Sequence, residues 1–447
     1  MAEAGELKLT QSAYAAAADY YGRAAELVPA GSEPVKADYL LQQGGALHYA
    51  GKYAEAEAPL KGSLDIRERL LEPNDPEIAA SLNNLAALYS NQGKYDLAEP
   101  IYQRALTIRE KVLGPEHPDT AQSLNNLAGL YIAQGKYDVV DPLLQRVVEI
   151  REKVLGPDHP DTAGTLNDLA VLYQAQGKYA QAEPLYLRAL KIMEQALGPD
   201  DPTTAATLNN LAGLYRVQGK YDQAEPLYQR ALEIAEQALG PEHPHMATTL
   251  NNLAGLYYAQ GKYDQAESLY LRALKIKEQT LGPGHPDTAA TLNNLAGLYE
   301  DQGKYDQAEP LYQQALKIAE QALGPEHPNT ATTLNNLANL YRAQGKNDQA
   351  EPLYLRDLKI TGRTLGPKHP SLAMTLNNLA GLYRDQGKYD QAVPLLKRAL
   401  QIMEKTLGPG HPNVAIMRRN LGELQAVRAK ATMGKPQGKR TKNAQKR

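Results

Sequence analysis

The stretch T-L-N-N-L-A-G-L-Y-E-D-Q-G-K-Y, residues 291–305, decides the fold because the chain repeats it with few changes. Its motif Leu-Asn-Asn-Leu-Ala returns at intervals of 42 residues. The copies start at Leu82, Leu124, Leu208, Leu250, Leu292, Leu334 and Leu376, with Leu-Asn-Asp-Leu-Ala starting at Leu166. A fixed period between about 20 and 50 residues is typical of stacked repeat arrays. The sequence therefore predicts one continuous array, although its length alone would suggest roughly three globular domains.

The apolar residues of one unit are spaced for two helices. Between residues 82 and 89 they recur at i, i+3, i+4 and i+7, which places them on one face of an α-helix. Gly93 interrupts this pattern, a second helix follows from Tyr95, and Gly114-Pro115 ends it. Neither helix could bury its apolar face alone, so neighbouring hairpins must stack. The prediction is an all-α solenoid of antiparallel helical hairpins, in which each hairpin has a first and a second helix.

The ends of the chain differ from the repeated middle. We predict a short N-terminal extension (1–9), a half-repeat with a linker (10–36), nine helical hairpins (37–408), a C-terminal capping helix (409–427) and a basic disordered tail (428–447). The half-repeat has no partner helix before it, so either it caps the array or upstream sequence has been lost. The cap is expected because Arg418 and Arg419 replace the Leu-Asn of the motif.

Composition limits the classes of function. The net charge is −3, but the tail from Arg428 holds eight Lys and Arg and no acid, whereas residues 1–427 carry 40 basic and 51 acidic side chains. The absence of cysteine excludes disulfides and thiolate metal sites. We find no signal peptide and no apolar run of about 18 residues, so we expect a cytoplasmic protein without membrane contact. The tail is the only candidate for nucleic-acid binding, and it lacks aromatic residues for base stacking.

The pattern L-x2-L-A-x2-Y followed by A-x3-Y, in residues 82–102, resembles the tetratricopeptide repeat. With the 42-residue period and the recurring Gly-Pro-x-His-Pro, it is similar to the kinesin light chain version of that repeat. The resemblance implies a right-handed superhelical solenoid in which the first helix of each hairpin lines the concave surface. It also implies that the chain binds other proteins.

The paired asparagines are the candidate binding residues, because asparagine is a mediocre helix former and yet recurs in mid-helix. Resemblance to the asparagine ladders of this superfamily implies that the second Asn holds the main chain of an extended peptide, using both its donor and its acceptor. The predicted groove residues are Asn84, Asn126, Asp168, Asn210, Asn252, Asn294, Asn336, Asn378 and Asn420. The alternative is that these side chains bond loops or the neighbouring repeat.

One register varies while the rest of the unit is repeated. It directly follows the Tyr at the end of the first helix, where we place the rim of the groove. The predicted specificity residues there are Arg216, Tyr258, Glu300, Arg342 and Arg384. The alternative is neutral variation on an exposed face.

The histidines of Gly-Pro-x-His-Pro predict turn capping rather than a metal site. Packed helices lie about 8–10 Å apart, too far for two rungs to share a zinc with bonds of about 2.0–2.1 Å. We therefore predict no metal and no cofactor. These histidines are His117, His159, His243, His285, His327, His369 and His411.

The sequence contains no catalytic motif that we recognise, and its acidic residues recur with the repeat. We therefore predict a non-catalytic scaffold or adaptor that binds extended peptide segments of other proteins and takes no small-molecule substrate. Two alternatives remain open: a structural array that self-associates, and the interaction region of a larger signalling protein.

Overall fold

The computed structural model describes residues 11–433, which form twenty α-helices and no strand within that range. The helices are α1 (Gln11–Glu26), α2 (Glu33–Tyr49), α3 (Tyr53–Leu70), α4 (Pro76–Asn91), α5 (Tyr95–Val112), α6 (Pro118–Ala133), α7 (Tyr137–Val154), α8 (Pro160–Ala175), α9 (Tyr179–Ala196), α10 (Pro202–Val217), α11 (Tyr221–Leu239), α12 (Pro244–Ala259), α13 (Tyr263–Thr280), α14 (Pro286–Asp301), α15 (Tyr305–Ala322), α16 (Pro328–Ala343), α17 (Asn347–Thr364), α18 (Pro370–Asp385), α19 (Tyr389–Leu407) and α20 (Pro412–Met433).

Each hairpin is delimited by local chemistry. In the hairpin of α14 and α15, Pro286 opens the first helix, where its missing N–H costs nothing. His285 caps that helix, since its Nδ1 accepts a hydrogen bond from the Asp287 amide at 3.1 Å. Gly303 turns the chain between the helices with a φ of 71°, a left-handed conformation that favours glycine. This pattern is repeated along the array.

Leucine, alanine and tyrosine fill the space between the helices. Tyr186, Tyr228 and Tyr354 on second helices are among the largest fully buried side chains. A polar contact also joins successive hairpins. Tyr299 donates to Glu267 of the preceding hairpin at 2.9 Å, and Lys304 lies 5.4 Å from the centre of the Tyr299 ring. Such a cation–π contact contributes about 0.5–1 kcal/mol at an exposed site.

The first helices lie on the inner side of the solenoid. First helices of most successive hairpins, such as α10 and α12 or α14 and α16, approach one another closely, whereas second helices do not. The stack therefore curves with its first helices inside. The predicted fold class, an all-α superhelical solenoid of antiparallel hairpins, is confirmed.

The curvature brings successive superhelical turns into contact. His327 Nε2 lies 3.1 Å from the carbonyl oxygen of Asn91, and a Cβ placed on Gly93 would lie 3.1 Å from Cδ2 of His327. The same pairing recurs at a constant separation of 234 residues, between five and six repeats. We call this surface the inter-turn seam; it pairs Gly51, Gly93, Gly135 and Gly177 with His285, His327, His369 and His411.

At both ends of the chain, the helices extend beyond the boundaries that the sequence predicts. The hairpins occupy α2 to α19, starting at Glu33, and α1 lies against α2 with the Tyr14 and Tyr49 rings stacked 5.4 Å apart. The capping helix does not end at residue 427. It continues to Met433 because residues 428–433, rich in Ala, Arg and Lys, favour helix. Residues 1–10 and 434–447, including most of the predicted tail, lie outside the described residues. Within the described range, no helix has the length and apolar character needed to cross a bilayer.

Candidate functional site

The second asparagines form a row along the inner face, and most are only partly exposed. Several donate one amide hydrogen to the first Asn of the preceding hairpin. Asn294 Nδ2 lies 3.1 Å from Asn251 Oδ1, and Asn378 Nδ2 lies 2.9 Å from Asn335 Oδ1. The Oδ1 atom of Asn294 accepts no hydrogen bond from any described residue. Its amide therefore retains one acceptor and one donor hydrogen.

The first asparagines hold the array together. Asn293 donates to the hydroxyl of Thr333 in the next hairpin at 2.9 Å, and Asn209 donates to Thr249 at 2.9 Å. The alternative in which asparagine bonds the neighbouring repeat thus describes the donor group of the first Asn in several hairpins. It describes one amide hydrogen of the second Asn in four copies, Asn210, Asn294, Asn378 and Asn420.

The row is not uniform. Asn84 donates to the Ala80 carbonyl of its own helix at 3.0 Å. Asp168 accepts from Asn125 Nδ2 at 3.1 Å, and burial raises the pKa of its carboxyl although this hydrogen bond opposes the shift. Asn252 and Asn336 form no side-chain hydrogen bond with any described residue. The predicted groove residues Asn126, Asn210 and Asn420 also lie on first helices or, for Asn420, on the capping helix.

Two of the predicted specificity residues share one carboxylate. Arg342 Nε lies 2.7 Å from Asp385 Oδ2 of the next hairpin, and Arg384 Nη2 lies 3.1 Å from Asp385 Oδ1. The Arg342 guanidinium also covers Gly381, since a Cβ there would lie 2.7 Å from Nη1. These two arginines are therefore held in place before any partner binds.

The other variable residues contact tyrosines or acids. Glu300 accepts from the hydroxyl of Tyr312 at 2.9 Å, and burial raises the pKa of its carboxyl. Tyr258 donates to Asp301, and burial together with this acid raises the pKa of the Tyr258 hydroxyl. Arg216 lowers the pKa of nearby Tyr228, against the dominant effect of burial. Two side chains at the variable register, Glu300 and Arg216, therefore interact with buried tyrosines of the second helices.

The recurring histidines cap helices. Nδ1 of His159 accepts from the Asp161 amide at 3.1 Å, and Nδ1 of His369 accepts from the Ser371 amide at 3.0 Å. Among the described residues, no group of three or more His, Asp and Glu side chains is arranged to hold a metal ion. The chemistry of the inner face is therefore that of amides, hydroxyls and paired charges.

The sequence profile described as the tetratricopeptide repeat matches nine overlapping segments that together run from residue 35 to 430. The chain belongs to the tetratricopeptide repeat family. The segments are 35–109, 77–152, 141–195, 161–237, 203–279, 245–321, 287–361, 337–405 and 371–430. The recognition of this family from the sequence is confirmed, and tetratricopeptide repeats are in general not catalytic.

Solved structures similar to this tetratricopeptide repeat chain include BtubC (BKLC) from P. vanneervenii, at 25% identity over 52% of this chain and 91% of that one, with a TM-score of 0.41. The nearly identical TPR-like repeats of a candidate kinesin light chain from Podosopora anserina match at 28% identity over 46% and 98%, with a TM-score of 0.38. A Rap protein complexed with Competence and Sporulation Factor matches at 16% identity over 83% and 99%, with a TM-score of 0.50. No curated protein matches.

Sequence reasoning missed two features of this tetratricopeptide repeat array. The first is the contact of the seam histidines with glycines of the preceding superhelical turn. These residues are 234 positions apart, so the sequence gives no signal that they meet. The second is Asp357, a buried carboxylate on α17. The sequence did contain a signal for Asp357, because it is the one acid at a register where the other hairpins carry Ser63, Val147 or Ala.

Proposed function

We propose that this chain is a non-catalytic, cytoplasmic scaffold that binds an extended segment of a partner protein along its concave face. The observation that carries the proposal is the row of second asparagines. The family supports a protein-interaction role, and the amides add a means of recognising main chain.

The amide chemistry supports an extended ligand. A peptide group presents one donor and one acceptor, and Asn294 keeps one of each. Neighbouring amides lie on successive first helices, so a peptide could bond several of them in turn. Main-chain contacts of this kind give affinity with little sequence preference. The paired charges of Arg342 and Asp385 would then select the side chains of the ligand.

The likeness to the Rap protein is consistent with this proposal. That chain was solved in complex with Competence and Sporulation Factor, and 83% of the present chain aligns with it. At 16% identity the likeness concerns the fold alone. It supports the solenoid as a shape able to hold a ligand.

The test is a triple substitution of Asn252, Asn294 and Asn336 by Ala. Peptides selected from a random displayed library on the full chain serve as probes, and affinity is measured by fluorescence anisotropy. We expect about tenfold or greater weakening, because each lost hydrogen bond contributes about 0.5–1.5 kcal/mol.

The matched control changes one exposed glutamine on the second helix of each of the same hairpins: Gln265, Gln307 and Gln349 to Ala. It should leave affinity unchanged. Full affinity in the asparagine variant, with helicity intact by circular dichroism, would refute the groove.

A further inference from the structure

Two hairpins hold a buried guanidinium, that of Arg67 or Arg151, between the second helix and the first helix that follows, and a third holds the half-buried one of Arg109. In one of them, Arg151 Nη1 donates to the Asp161 carbonyl at 2.9 Å and to Thr165 Oγ1 at 2.7 Å, and Nη2 donates to Gln122 Oε1 at 2.9 Å. Arg67 repeats this arrangement: Nη1 lies 3.1 Å from the Glu77 carbonyl. The same arginine donates to Ser81 Oγ and Asp38 Oδ1, at 2.9 and 2.6 Å. The chain itself therefore defines a guanidinium site of one carbonyl and two side-chain acceptors.

On α17 this arginine is replaced by the short side chain of Thr361. The positions equivalent to Gln122, Asp161 and Thr165 are Thr332, Ser371 and Thr375, at the same multiple of 42 residues. These three residues and Thr361 line a cavity of about 320 Å³. The volume lies within the range of ligand pockets, about 300–1,000 Å³. The guanidinium is missing, but the Ser371 carbonyl and the Thr375 hydroxyl correspond to the acceptors of Asp161 and Thr165, and Thr332 has a hydroxyl in place of the Gln122 amide.

The cavity contains a carboxylate at position 357, where the hairpins of Arg67 and Arg151 carry Ser63 and Val147. Asp357 is 2% exposed. It accepts from Thr375 Oγ1 at 2.6 Å, from Thr361 Oγ1 at 2.7 Å and from Asn335 Nδ2 at 2.8 Å. In the described part of the chain no Lys or Arg pairs with it, and burial raises the pKa of its carboxyl. A buried charge without a partner charge is strongly unfavourable.

The scaffold does not require this carboxylate. In other hairpins the first Asn bonds the hydroxyl of the next hairpin directly, as Asn209 bonds Thr249 and Asn293 bonds Thr333, both at 2.9 Å. Asn335 and Thr375 have the same 40-residue separation, and Asp357 lies between them as a bridge. Alanine at 357 would leave the direct bond available. The presence of Asp357 is therefore not explained by the need to hold the two hairpins together.

We infer that this cavity receives the guanidinium of an arginine side chain from the bound partner segment. Such a group would meet the counterparts of the carbonyl and the hydroxyl that hold Arg151, together with a carboxylate that matches a planar, forked donor. Asn336 of the asparagine row also lines the cavity, which makes the cavity continuous with the groove. The inference thus rests on the proposed function and names one side chain of its ligand.

The test uses the full chain and two probes, the peptide acetyl-Ala-Ala-Arg-Ala-Ala-amide and its twin with neutral citrulline in place of arginine. Ligand-observed NMR measures both affinities. We expect the wild-type chain to prefer the arginine peptide by about tenfold or more, as for a buried charge-assisted contact. Asp357→Asn and Asp357→Ala should abolish the preference. Thr361→Arg should weaken binding of the arginine peptide, because it restores the chain's own guanidinium.

The control is Ala319→Arg, which places an arginine at the same register one hairpin earlier and should leave the preference intact. Equal affinity for the two peptides, no binding at millimolar concentration, or an unchanged preference in both Asp357 variants would overturn the inference. Equal affinity for methylguanidinium and the arginine peptide would also overturn it, since the cavity would then fit a small ligand. The double substitution of Asn252 and Asn294 by Ala spares the cavity-lining Asn336, so weakening of both peptides alike in that variant reports on the groove, whereas loss of the arginine preference in the Asp357 variants reports on the cavity.

Discussion

His159 and His327 stand at the same register of two hairpins and perform the same capping role, yet their surroundings differ. Nδ1 of each accepts from the amide two residues ahead, at 3.1 and 3.0 Å. The His159 side chain is 39% exposed, whereas His327 is buried. Only His327 is covered by the preceding superhelical turn, through the Asn91 carbonyl at 3.1 Å. Two copies of one motif therefore have different chemistry because only the later one has a turn beneath it.

The largest expected effect comes from filling the seam. Gly93→Ala would place a Cβ 2.7 Å from Pro328 Cδ and 3.1 Å from the His327 ring, whereas nothing lies within 4 Å at Gly303. Both glycines have positive φ, 68° and 71°, so both substitutions carry a backbone cost of about 1–2 kcal/mol. We expect Gly93→Ala to lower the unfolding free energy by roughly 1–3 kcal/mol more, through overpacking. Thermal denaturation measures the loss of stability, and small-angle X-ray scattering measures any change in the shape of the solenoid. Equal losses of unfolding free energy in the two variants would mean that the seam does not form.

The next effect is a dependence of the seam on pH. Burial lowers the pKa of His285, His327 and His411, and that of His369 to about 4. An unfolded or separated histidine titrates near its usual value of 6.5, so on acidification the open form binds protons first. The stability of the seam is therefore complete above about pH 6.5 and is lost as the pH falls toward about 4.

Scattering at pH 7 and pH 5 tests this dependence. We expect the radius of gyration to increase while far-UV circular dichroism shows intact helices. The groups that face these rings are few: Asp287 and Lys277 act on His285, the Asn91 carbonyl acts on His327, and the Ala133 carbonyl acts on His369. A radius that stays constant over this interval would contradict the expectation.

The smallest effect separates capping from the seam. Asparagine is a good N-cap, and the chain already uses an acid at this register, where Asp201 Oδ1 accepts from the Thr203 amide at 2.7 Å. His159→Asn should therefore change the unfolding free energy by no more than about 0.5 kcal/mol. His327→Asn should lose about 1 kcal/mol of ring packing at pH 7. It should also be less sensitive to acid, because one buried histidine no longer titrates. Chemical denaturation at pH 7 and pH 5 measures both, and identical behaviour of the two variants would remove the distinction.

Much of the candidate site could be predicted from the sequence, but its bonds could not. The spacing of Leu292, Leu295 and Tyr299 places Asn294 away from the core and onto the inner face. The donation from Asn294 to Asn251 depends on how closely neighbouring hairpins approach. The same holds for Arg342, whose identity is visible in the sequence, whereas its pairing with Asp385 depends on the stacking geometry.

The sequence by itself determined the hairpin, the repeat and the family, because the periodicity of apolar residues and the Pro, Gly and His signals act within one 42-residue unit. Only the tertiary structure decided that Gly93 meets His327 and that Asp357 lines a cavity with Thr361 and Thr375. Local rules repeat in every copy, but a small rotation between copies accumulates along the array. The contacts between superhelical turns follow from that accumulated rotation.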